Sequence, residues 1–421
     1  MIKGKYLTTV IFIVFTLFVS CKIETDWIEF RGNMGQGATE NTLSVPLAVK
    51  WKLKLQESEE RATSFNPPVI IGNTIYFGST DGNFYALDIE SGYMNWVFKT
   101  SGQINSIPYG DEENVYFGSN DGYVYAVSQK EGTEQWRFPA NSTIQSIVTK
   151  YNGMIAFTSD AIYNYPGATY FLSEDGIEQH KIPNPVWSYH TFQIYDDYMY
   201  FAPGPMDIPH SFGVYNMISN SYEWIIETWT IGASWYSFPA VKDKFLYYST
   251  CERSGTVFIL KYFAVDRITG STVWEYTTES DFGQNVYEPA NVLLRRNIES
   301  LDYLAPAIWN NLVIYTSGDT IVRAFHLNSE NYFGDIAWEN KFEYITSSAP
   351  TVAGDRIYFG LRGDDFPEGD PPKLICLSAH NGNELWQIDL EGAVLSAPVI
   401  SGKWIVFGTD ENYFYVLEEV Y

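Results

Sequence analysis

Apolar and polar positions along this chain recur in blocks of about 40 residues, a period that marks a repeat architecture. Eight times an aromatic residue followed by a small one stands nine places after a Pro or a large apolar residue. The aromatics are Phe77, Phe117, Phe157, Phe201, Tyr248, Tyr315, Phe359 and Phe407, and the leading positions are Pro68, Pro108, Val148, Phe192, Pro239, Pro306, Pro350 and Pro398. Within a block, short runs alternate in the period-2 manner of half-buried strands. In block one, Pro68–Ile71 predicts a first strand and Thr74–Gly78 a second, separated by a Gly72-Asn73 turn. Asp81-Gly82 turns into a third strand, Phe84–Asp88, and Glu90-Ser91-Gly92 into a fourth that carries Trp96. Block two repeats the plan with Asp121-Gly122, Tyr123–Val127, Glu131-Gly132 and Trp136.

The last block stops after its third strand, Tyr413–Leu417, while Val49–Leu53 stands alone near the N-terminus with Trp51 at the fourth-strand position. If that segment completes the last sheet, the array closes and no edge is left to template aggregation. The expectation is an all-β, eight-bladed β-propeller of four-stranded antiparallel blades, the last closed by an N-terminal strand. An aromatic fraction of 17% supports β structure over helix. Block three lacks the Trp and reads Ile177-Glu178-Gln179-His180 there. One large insertion, 278–302, spaces Leu294, Ile298 and Leu301 as a helical face after Pro289. It reads as a surface helix packed on its own blade or as a docking element for a partner.

The N-terminus changes the picture of where the protein resides. Lys3 and Lys5 precede an apolar run from Tyr6 to Val19. Such a run rises only about 21 Å as a helix, short of a bilayer core, and suits a signal peptide. Leu17-Phe18-Val19-Ser20-Cys21 resembles a relaxed bacterial lipobox, which implies cleavage before Cys21 and acylation there, with an ordinary signal peptide or uncleaved anchor as the alternatives. Lys22 at the next position implies the outer membrane by the enterobacterial sorting rule. The expected organisation is a signal peptide at 1–20, a lipid tether and leader at 21–47, and the propeller at 48–421. Cys251 and Cys376 fall in blocks five and seven, too far apart to pair, so both are expected reduced and buried. The formal charge of −25 repels phosphate backbones and excludes nucleic acid as a partner.

Ile75-Tyr76-Phe77-Gly78-Ser79, Asp81-Gly82, Tyr85-Ala86-Leu87-Asp88, Gly92 and Trp96 together resemble the repeat of the pyrroloquinoline-quinone (PQQ) type propellers. That superfamily holds the quinoprotein alcohol dehydrogenases and the outer-membrane assembly lipoproteins of the BamB type. Trp27-Ile28-Glu29-Phe30-Arg31-Gly32, with Gly35 and Gly37, is similar to the segment before the first blade in many such propellers. The resemblance covers residues 27–421, closely in blocks one, two, seven and eight and in outline elsewhere. It implies the fold strongly and the function weakly, because one fold hosts catalysts and scaffolds alike.

A quinoprotein needs Ca²⁺, a carboxylate base and cations for the cofactor's carboxylates. The family's adjacent-cysteine pair does not occur here, and 26 Lys and Arg stand against 51 acids. The expectation is therefore no catalytic residue, no PQQ, no calcium and no other metal. The acidic stretch Gly360–Asp370 matches no EF-hand spacing, and His180, His190, His210, His326 and His380 show no ligand spacing.

Departures from the repeat are where function is to be sought. Two places before the leading position, five blocks carry Ser: Ser106, Ser146, Ser237, Ser348 and Ser396. Block four has His190 there, after Trp187 and Tyr189, and block five places Trp235 and Tyr236 just before its Ser. These five residues form the candidate ligand cluster at the channel, able to stack on a sugar or an aromatic ligand, or else simply packing between blades. The expected function is a non-catalytic, lipid-anchored binding scaffold of the bacterial envelope, monomeric, with a protein partner and a place in outer-membrane protein assembly. A carbohydrate- or small-ligand-binding surface lipoprotein is the alternative, and a PQQ-dependent dehydrogenase is the least favoured.

Overall fold

The computed structural model describes residues 26–32, 35–55, 66–160, 167–183, 190–203, 210–228, 234–236, 238–254, 257–280, 305–327, 334–363, 369–394 and 396–420. Its strands form eight sheets, one per block, each running from an inner strand beside the axis to an outer strand at the rim. Blade 1 consists of Val69–Ile71, Thr74–Gly78, Asn83–Asp88 and Met94–Lys99. The first strand starts at Val69 rather than Pro68, since Pro has no N–H for the ladder. Gly82 and Gly122 hold φ of +79° and +88°, as the Asp-Gly turns require.

The ring closes as the pattern predicts. Leu47–Lys54 pairs antiparallel with Tyr413–Glu419 and becomes the outer strand of blade 8, with Trp51 opposite Val416. Around that strand Lys50 and Lys403 share Glu90 and Glu418, so the closing strand, the last blade and the first blade meet in one ion cluster.

Every outer strand carries a one-residue bulge at the same place, just before the Trp or its substitute. A bulge bends the strand and increases its local twist. The Trp that follows docks on the next blade. Trp96 donates its indole N–H to Gln129 O at 2.8 Å and Trp338 to Ala379 O at 3.0 Å. Its ring lies over a positive-φ glycine in the next blade's outer turn: Gly132 for Trp96, Gly176 for Trp136, Gly382 for Trp338. Nearer the axis, the repeat aromatic stacks on a ring of the preceding blade, as Phe117 on Phe84 at 3.9 Å and Phe77 on Phe414 at 4.4 Å.

Blades 3 and 4 meet differently. His180 occupies the Trp position, and the outer turn it faces, Met217–Asn220, has no glycine. Tyr151 instead donates its hydroxyl to Asp197 Oδ1 at 2.6 Å across that seam.

Candidate functional site

In an antiparallel blade the first-to-second and third-to-fourth strand turns lie at one face, and the second-to-third turn and the link to the next blade lie at the other. The chain treats these two faces oppositely. Across the first, the leader lies over the ends of the inner strands. Trp27 exchanges both backbone bonds with Ile70 of blade 1 at 2.8 Å, and Gly110 N of blade 2 donates to Ile28 O at 3.0 Å. Thr149 of blade 3 donates to the Glu29 carboxylate at 3.1 Å. Gln36 donates to Val241 O of blade 5 and accepts from Ile308 N of blade 6, and Val352 N of blade 7 donates to Gly37 O. Ala38–Thr39 then runs parallel to Thr351–Ala353 before the chain enters blade 8.

Phe30 fills the axis. It belongs to one buried cluster with Ile107, Ile147, Phe238, Ala305, Ala349 and Ala397, the residues just before the leading position in six blades. Its ring meets Phe238 edge-on at 4.8 Å. Arg31, 1% exposed, donates to Pro306 O at 2.6 Å. The leader is thus a plug. No periodicity announces it, because its partners lie far along the chain.

Two of the five inner-strand serines bridge the backbone of the adjacent strand. Ser106 Oγ donates to Gly118 O and accepts from Gly118 N, at 2.8 and 2.7 Å, and Ser146 does the same with Thr158. Where the inner strand leaves its neighbour, the hydroxyl takes over the ladder that the backbone abandons. The five candidate residues fall into two groups. Trp187 and Tyr189 lie outside the described residues, as does Cys21. His190 opens the strand His190–Tyr195 opposite Pro203, so blade 4 extends its backbone ladder where other blades use the Ser bridge. Trp235 and Tyr236 lie in Ser234–Tyr236, opposite Cys251 and Thr250.

That pairing is possible because the middle strands of blade 5 are long. Phe245–Ser254 and Val257–Asp266 each run 10 residues, against 5 and 6 for the corresponding strands of blade 1. At about 3.3 Å per residue the hairpin stands well beyond its neighbours on the face opposite the plug. The structure therefore brings His190 and the Trp235-Tyr236 pair to the same face of adjacent blades.

Buried charge on that face is engaged within the scaffold. Asp319 and Arg323 of blade 6 form a two-contact pair at 3.1 and 2.9 Å, with Arg323 also donating to the Tyr262 hydroxyl of blade 5. Blades 1 and 2 hold the same positions with Asp81 and Tyr85, and with Asp121 and Tyr125. Arg362 pairs with Asp410 at 3.5 Å. Asp160 of blade 3, 1% exposed, accepts from the Thr143 hydroxyl, and burial raises its carboxyl to about 8. Beside Thr143 a cleft of about 370 Å³ is lined by Asn120, Asp121, Tyr123, Asn141 and Ser142.

Among the described residues no three His, Cys, Asp or Glu side chains converge as metal ligands. The buried guanidiniums of Arg31 and Arg323 already serve the plug and Asp319. Cys376 is buried and free, and burial raises its thiol to about 12. The side chain of Cys251 lies outside the described residues.

Fold and site together define a PQQ-repeat propeller, plugged at one face and elaborated at the other. A family profile described as outer membrane protein assembly factor BamB matches residues 48–165 and 318–420, more than half of the chain, and the protein belongs to that family. The stretch it leaves out holds the second half of blade 3, blades 4 and 5, and the first two strands of blade 6. BamB from Moraxella catarrhalis is similar at 13% identity over 89% of this chain and 100% of that one, with a TM-score of 0.59. A europium-containing methanol dehydrogenase is similar at 11% identity, 93% and 98% coverage and a TM-score of 0.65. A quinohemoprotein alcohol dehydrogenase from Pseudomonas putida HK5 gives 12%, 94% and 80%, and 0.64. At such identities these likenesses show the fold alone. No curated protein matches the chain.

Proposed function

We propose that this protein is a non-catalytic, lipid-anchored binding propeller of the bacterial envelope that serves outer-membrane protein assembly in the manner of BamB. The observation that carries the reading is the family match over blades 1, 2, 7 and 8 and half of each of blades 3 and 6. The plugged axis and the internally paired buried charges agree with it, since they spend on the scaffold the groups a catalyst would direct at a substrate. Loops on the face opposite the plug would take the partner. Crosslinking in native membranes followed by purification of the full-length protein tests this. Recovery of a β-barrel assembly component supports the reading, and its absence under conditions that recover other envelope partners refutes it.

A second reading is favoured by the lengthened hairpin of blade 5. It falls in the part of the chain outside the family match and carries Trp235 and Tyr236 on its inner neighbour. A carbohydrate ligand bound there would give glycan-array signals that disappear in Trp187→Ala with Trp235→Ala. No signal on any glycan removes this reading.

A further inference from the structure

The first described residue is already fixed to the plugged face. Asp26 Oδ1 accepts from Gly72 N at 2.9 Å, in the inner turn of blade 1, and Trp27 follows on Ile70. Cys21 stands five residues earlier. Five residues at full extension reach at most ~18 Å. To pass from this turn to the opposite face, a chain must cross three strand spacings to the rim, ~14 Å, and then descend a strand of five residues, ~17 Å. The shorter route, down the axis, is filled by Phe30. A lipid on Cys21 therefore cannot serve the face that carries the blade 5 hairpin.

We infer that the plugged face is the membrane-facing side of the molecule, and that the face with the lengthened hairpin points away from the bilayer. The inference rests on acylation of Cys21, part of the function proposed above. The tether sets the direction, and the electrostatics set the distance. Turns on the plugged face expose Glu112, Glu113, Glu131 and Asp175, while Glu90 and Asp196 there are paired with Lys50 and Arg267, and Lys130 and Lys244 share the face. Like charges on anionic headgroups repel the exposed acids, with a reach of ~8 Å at physiological ionic strength. The tether spans about twice that length, so the propeller stands off the surface within reach of its anchor instead of lying flat on lipid. A partner embedded in the same membrane must then rise around the rim to meet the outward face, whereas a soluble client reaches it directly.

The test uses the full-length lipidated protein in vesicles containing Ni²⁺-chelating headgroups, with Cys251→Ser and Cys376→Ala as background. A spin label is placed by Glu112→Cys on the plugged face or by Ser101→Cys on the other, both exposed positions. Relaxation by headgroup Ni²⁺ is expected to be severalfold stronger at position 112 than at 101. A flexible Gly/Ser insertion of about 20 residues between Cys21 and Asp26 is expected to remove the difference. Equal or reversed relaxation in protein whose intact mass carries the acyl chains overturns the orientation while leaving the anchor standing. An intact mass without lipid on Cys21 overturns both.

Discussion

The indole N–H of Trp51 donates to the carbonyl oxygen of Ile89 at 2.8 Å, and the same ring lies over Gly92. Trp51 comes from the N-terminal strand that completes blade 8, whereas Ile89 and Gly92 belong to blade 1. The contact therefore locks the ring. Trp51→Ala is expected to cost roughly 2–3 kcal/mol, the low end for a large-to-small change because the ring is only half-buried. Trp51→Phe, which loses the hydrogen bond and keeps most of the packing, is expected to cost about 1 kcal/mol. Urea denaturation followed by far-UV circular dichroism measures both.

Phe30 on the axis gives a second expectation. Truncating it leaves a void ringed by alanines and isoleucines on strands that cannot collapse inward. Phe30→Ala is expected to destabilise by roughly 3–5 kcal/mol, while Phe30→Leu costs less than half of that. Comparable midpoints for the two variants would show that the leader is not packed as a plug.

Glycines separate backbone strain from contact. Gly132 and Gly153 both hold positive φ, +65° and +77°, but a Cβ at Gly132 would come within 2.6 Å of the Trp96 ring whereas at Gly153 it meets nothing within 4 Å. Gly153→Ala should therefore cost only the left-handed backbone penalty, roughly 1–2 kcal/mol. Gly132→Ala should cost at least about 1 kcal/mol more, because it also pushes the indole off its seat. Equal losses in thermal denaturation would contradict the docking role of the Trp.

Asp160 sets a pH dependence of defined sign. Its carboxyl is raised by burial to about 8, so the folded chain keeps the proton well above the pH at which an unfolded aspartate releases it. At this site the unfolded state binds fewer protons between about pH 4 and 8, so its contribution to stability falls as pH rises through that window. Asp160→Asn is expected to flatten this slope and to raise stability at pH 8 by an amount on the order of a few kcal/mol. Glu29, also raised by burial, acts in the same direction, and Glu29→Gln is expected to remove a smaller part of the slope. Melting temperatures from pH 4 to 9 check both. A slope unchanged by Asp160→Asn would contradict the assignment.

The blade plan was legible because a propeller repeats its chemistry locally. Asp81, Gly82 and Trp96 each announce a turn or a docking ring within one block, and Trp51 betrayed the closing strand by standing where a fourth strand was missing. What escaped reading depends on residues far apart in the chain. Phe30 and Arg31 look like an ordinary leader until the structure sets them against Ala305 and Pro306, more than 270 positions away. The serines before the leading position recur in the sequence without announcing a role, and the geometry shows the hydroxyls of Ser106 and Ser146 bridging a neighbouring strand. Of the candidate cluster, the structure describes the backbone of His190, Trp235 and Tyr236, on adjacent blades 4 and 5. Composition gave no sign of the ten-residue strands against which Ser234–Tyr236 pairs.

Crosslinking mass spectrometry in native membranes tests most directly the claim of a binding propeller that works through the face opposite its plug. Lys54, Lys99 and Lys341 stand at the ends of outer strands on that face, whereas Lys130, Lys244 and Lys403 sit in turns on the plugged face. The account predicts that links to a β-barrel assembly component concentrate on Lys54, Lys99 and Lys341. Links confined to Lys130, Lys244 and Lys403, or none to any such component, would contradict it.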